Sequence, residues 1–94
     1  MIIRWESEHD YVLVHVHQDM LGDWIFVRAW GQIGTAYGGI VHSLADSYPR
    51  AMAWVEDVEH IQRLRGFVRV MESQDDDAPG ARDAMRQLSL LERA

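Results

Sequence analysis

The chain has 94 residues, 48% hydrophobic and 26% charged, with a net charge of −6 and no cysteine. That suffices for one small domain. It removes disulfides, thiolate zinc sites and cysteine nucleophiles, and runs against a purely electrostatic nucleic-acid binder. No apolar run reaches the ~20 residues that span a bilayer. The opening residues lack a basic region followed by a long apolar one, so the expected location is the cytoplasm.

In chain order, Ile2 to Glu6 reads as a short first strand, and Ser7 to Asp10 as a polar break. From Tyr11 to His17 the residues alternate. Val12, Val14 and Val16 lie on one face, and Tyr11, Leu13, His15 and His17 on the other. The three valines are the expected core side. His15 and His17 share a face, and His42 lies on a later strand. Three imidazoles can hold zinc, yet no fourth ligand stands at a fixing distance in sequence. The expectation is partly exposed strand histidines, with no metal and no cofactor.

Gln18 to Asp23 connects to a strand over Trp24 to Trp30. An even spacing puts Trp24 and Trp30 on one face, opposite Ile25, Val27 and Ala29. The indoles are either packed or presented to a partner, and the pattern leaves both readings open. Gly31, Gly34, Gly38 and Gly39 mark a turn where backbone approaches another strand or a ligand. Ile40 to Leu44 returns as a further strand.

The period then becomes helical. Ser47 is a fitting N-cap and Pro49 falls in the first turn. Ala51, Trp54, Val55, Val58 and Ile61 mark the apolar side, and Gly66 the stop. Phe67 to Val70 reads as a last short strand. Residues 72–80, with Asp75, Asp76 and Asp77, read as an acidic flexible linker. Ala81, Ala84, Met85, Leu88 and Leu91 form a second amphipathic stripe over 81–94, too short to be stable as an isolated helix. It must dock on its own domain or on another chain. The expected fold is α+β: an antiparallel sheet of four to five strands with one main helix on a face, plus a C-terminal helix.

No catalytic constellation stands out. Ser7, Ser43 and Ser47 lack a nucleophile-elbow context, and no lysine exists for a phosphate loop. The chain is not expected to be an enzyme.

Five short pieces occur in the order found in WGR domains. They are Tyr11 with Leu13; Asp19-Met20-Leu21-Gly22-Asp23-Trp24; Arg28-Ala29-Trp30-Gly31; Ser47 to Ala51; and Arg65-Gly66-Phe67. Roughly residues 1–70 resemble that family, while the acidic segment and final helix fall outside it. WGR domains occur in DNA-damage-responsive poly(ADP-ribose) polymerases, in bacterial regulatory proteins and as small stand-alone bacterial proteins. In the polymerases the domain binds DNA near a break and relays contacts between domains. The resemblance implies that Trp30 stacks on a terminal sugar or base, with Arg28 and Gln32 nearby and Arg63 and Arg65 as further contacts. Gln32 stands where the family motif has arginine, which lowers the expected electrostatic affinity. The expected function is weak DNA-end or nucleic-acid binding. The alternative is a protein-interaction or homodimerisation module, using the glycine-rich turn and the last helix, with no nucleic acid.

Overall fold

Alternating β-branched and aromatic residues build the centre of the molecule. In the computed structural model, which describes residues 1–93, five strands form one antiparallel sheet. They are β1 (Ile2–Glu6), β2 (Asp10–Gln18), β3 (Trp24–Gln32), β4 (Gly38–Ala45) and β5 (Val68–Ser73). The first four follow one another as a meander. Helix α1 (Tyr48–Leu64) then carries the chain across the sheet, and β5 adds beside β1, giving the order β4-β3-β2-β1-β5. Helix α2 (Pro79–Arg93) ends the described chain. Among the described residues no helix is long and apolar enough to cross a membrane.

Both faces of the sheet are core. Val12, Val14 and Val16 lie with Ile3, Trp5 and Phe26 beneath Ala51, Val55 and Val58 of α1. Trp54 meets Phe26 edge-on at 5.5 Å. On the opposite face Ile2, Tyr11, Leu13, Val27 and Ala29 are covered by Ala81, Ala84, Leu88 and Leu91 of α2. The alternation of β2 therefore separates two buried faces rather than core from solvent. His15, expected to be partly exposed, is 6% exposed because α2 returns over its face. Its Nε2 meets Asp76 Oδ2 at 2.9 Å, and its ring stacks on His17 at 4.7 Å.

Local chemistry sets the ends of α1. Ser47 accepts a hydrogen bond from the Arg50 N–H, which satisfies one of the free donors of the first turn. Gly66 follows the helix at φ +83°, a region open to glycine without penalty. Within α1 the apolar stripe is displaced by one residue at its last turn. Gln62 is buried where Ile61 was expected, and Ile61 is half exposed. Gln62 holds its place by accepting from Arg65 Nη1 at 3.0 Å, while its carbonyl accepts from the Phe67 N–H.

The acidic segment between β5 and α2 is a turn tied to the sheet. Ser73 Oγ donates to the Asp75 carbonyl and Asp75 Oδ1 accepts from the Asp77 N–H. Between them Asp76 reaches His15 and lies 3.9 Å from the N-terminal ammonium.

Candidate nucleic-acid interface

Trp30 sits near the end of β3, directly across from Gly39 of β4. A Cβ on Gly39 would collide with the six-membered ring of the indole. The ring therefore lies down over Gly39 and covers its backbone. Gly38 and Gly31 serve the same corner: a Cβ on Gly38 would strike the Trp30 carbonyl, and one on Gly31 the Tyr37 carbonyl and the Tyr11 hydroxyl. The close approach expected from these glycines is thus made by the protein's own strands and its own tryptophan.

Trp30 remains 40% exposed. Along its strand the Arg28 guanidinium carbon lies 5.4 Å from the ring centroid, within cation–π range. Beyond the indole is an open cleft of about 360 Å³. Its walls include Trp30, Gln32, Tyr37, Asp10, Phe67 and Arg65. The Arg65 guanidinium carbon lies 4.4 Å from the Phe67 ring centroid. One arginine thus stacks on Trp30 and another on Phe67 in the same cleft wall, and neither has a carboxylate within salt-bridge distance among the described residues. Arg65 Nη1 donates to Gln62 Oε1 at 3.0 Å; its remaining N–H groups, like those of Arg28, can serve phosphate or carbonyl oxygens.

Of the five residues expected at the site, Trp30, Gln32 and Arg65 line the cleft and Arg28 stacks behind Trp30. Arg63 does not join them. It donates to Glu59 Oε1 at 3.1 Å and lines a separate depression with Glu59 and Arg69. That separation follows from the turn of α1. Residues four apart share a helix face, so Arg63 meets Glu59, while Arg65 lies past the helix end and swings toward Phe67. Glu59 itself is anchored by the Trp5 indole N–H and by Arg69. Burial pushes its carboxyl upward, but those donors outweigh burial and hold it below the usual carboxylate range.

Three further side chains complete the cleft. Tyr37 is 81% exposed on the β3–β4 loop, Phe67 forms the floor beneath Arg65, and Asp10 adds a carboxylate to the rim. Tyr37 stands in the sequence as an aromatic between glycines in a turn and Phe67 as the aromatic of the Arg65-Gly66-Phe67 piece, whereas Asp10 carries no signal. Among the described residues no three histidine or acidic side chains come together to hold a metal ion.

A scan against protein-family models, a search of curated proteins and a search of solved structures each gave no match.

Proposed function

We propose that this chain is a small non-enzymatic binding module of WGR type that takes up nucleic-acid ends or unpaired bases weakly at the Trp30 cleft. The observation that carries the reading is the half-open indole, with Arg28 stacked on it and Arg65, stacked on Phe67, lining the same cleft, neither arginine held by a carboxylate. A base laid on such an indole gains about 1–3 kcal/mol, and this gain needs no particular sequence. Arg28 and Arg65 supply donors for flanking phosphates, and Gln32 supplies a neutral donor and acceptor. Asp10 on the rim and the net charge of −6 keep the affinity low, and with only two arginines to neutralise phosphates its fall with salt is shallow.

The test is a fluorescence-polarisation titration with blunt and nicked duplexes at low and moderate salt. Binding at low salt that weakens with salt and disappears in Trp30→Ala supports the reading. No binding at low salt defeats it. Gln32→Arg is expected to tighten binding by restoring a cation; an unchanged affinity counts against a contact at that position.

The second reading is a protein-interaction module without nucleic acid. It is favoured by the exposed apolar residues at the β2–β3 loop, Met20 and Leu21, and along β4, Val41 and Leu44.

A further inference from the structure

Both edges of the sheet are open, but they differ. On β5 the pairing register slips beside Arg4 and Trp5, a bulge that bends the edge. It also carries Arg69 and Glu72, which pair with each other. Bulges and charges are the usual protection of an exposed edge. β4 has neither. Its eight residues, GGIVHSLA, pair with β3 in unbroken register and include no proline, arginine or acidic residue. Its outer row of backbone groups is therefore a straight, unprotected template.

Beside this edge lies a second cavity, about 320 Å³, in the angle between α1 and the β3–β4 part of the sheet. Val41, Phe26, Trp54 and Ile61 line it, and Arg28 is its only cation. Asp57 stands on the helical wall without reaching Arg28 within salt-bridge distance. A strand added along β4 turns alternate side chains toward this angle. One of them fills the apolar space and the next, two residues on, comes level with Arg28.

We propose that the β4 edge and the adjoining groove bind an extended segment of another protein by strand addition, with an apolar and an acidic side chain alternating on the groove face. Backbone pairing supplies the general affinity and the groove the choice of sequence. A second copy of this chain fits poorly as the occupant. Its own β4 brings no carboxylate to Arg28.

The probe is a synthetic nonapeptide with threonine at every odd position and valine and glutamate in turn at the even ones, so that one face carries alternating valine and glutamate; it is titrated into the full chain and followed by amide NMR. The expected result is shift changes and slowed amide exchange along Gly38–Ala45 and at Ile61, with none on β5. Arg28→Glu, a change at an exposed side chain, should weaken the peptide roughly tenfold and transfer the preference to a valine–lysine peptide. Ile61→Ser should weaken peptide binding while leaving the Trp30-dependent duplex titration unchanged, which separates this proposal from the nucleic-acid reading. No perturbation of β4, or binding that ignores the charge at residue 28, overturns the proposal. So does a concentration-dependent dimer that protects the β4 amides without peptide, because the edge then pairs with itself.

Discussion

Trp30 owes its position to a residue with no side chain. The indole lies on Gly39, and any larger residue there must lift it. Gly39→Ala is therefore expected to cost about 1–3 kcal/mol by overpacking and to impair duplex binding as well. Urea melts and the polarisation titration check both; an unchanged titration would mean that the ring's seat does not matter. His15 gives a pH prediction. Burial pushes its pKa below the ordinary histidine value, assisted by His17 and the N-terminal ammonium, while the bond to Asp76 opposes without cancelling it. The folded state then holds fewer protons than the unfolded state, whose histidine titrates near ~6.5. Stability should fall as pH drops through that value toward the lower folded pKa. His15→Gln should flatten this part of the profile in urea melts from pH ~8 to ~5, and a slope unchanged by the substitution would contradict it. Glu59 works in the acid range. Its pKa is depressed, so its contribution is present above the ordinary carboxylate value and is lost below it. Neither histidine burial nor the tie to Asp76 was legible in the sequence, since residues 15 and 76 meet only after the chain has circled the sheet.

At the scale of elements, strand alternation and helix caps were readable because they depend on neighbours a few residues apart. The strands, the Ser47 cap and the Gly66 stop all came from such local patterns. What was not readable was which faces become core. A valine face on β2 suggested one buried side, and the second arises from α2 docking on residues some seventy positions earlier. Likewise Ile61 and Gln62 fit a helical stripe equally well at the last turn. The bond from Arg65 decides it, and no spacing rule contains that bond. The docking of α2 has a direct consequence. Leu88→Ala, in the buried row of that helix, should cost about 2–5 kcal/mol of whole-protein stability in thermal or urea melts. A loss below about 0.5 kcal/mol would mean that the helix is not integral to the fold. For the same reason deletion of 81–94 tests folding before it tests assembly. Light scattering of the intact chain is the cleaner measure of self-association.

At the scale of the whole molecule, the fold divides its surface by the way it places helices. Each helix crosses one face and leaves the β3–β4 side of the α1 face open, so Trp30, Arg28 and Val41 stay accessible. The sequence pointed to Trp30, Arg28, Gln32 and Arg65 through a family resemblance, and these four gather at or beside one cleft. Arg63 was drawn in by its nearness in sequence to Arg65, and helix geometry separates them. The net charge of −6 opposes any polyanion at long range, while the guanidinium groups of Arg28 and Arg65 act only at contact. Binding is therefore expected to be short-range and stacking-dependent rather than a general attraction. Its most direct test is the polarisation titration of a blunt duplex at low salt with the natural chain and Trp30→Ala in parallel. Saturable binding by the natural chain, lost in Trp30→Ala while urea melts show that variant still folded, is the predicted result. Equal binding by both chains, or none by either, contradicts it.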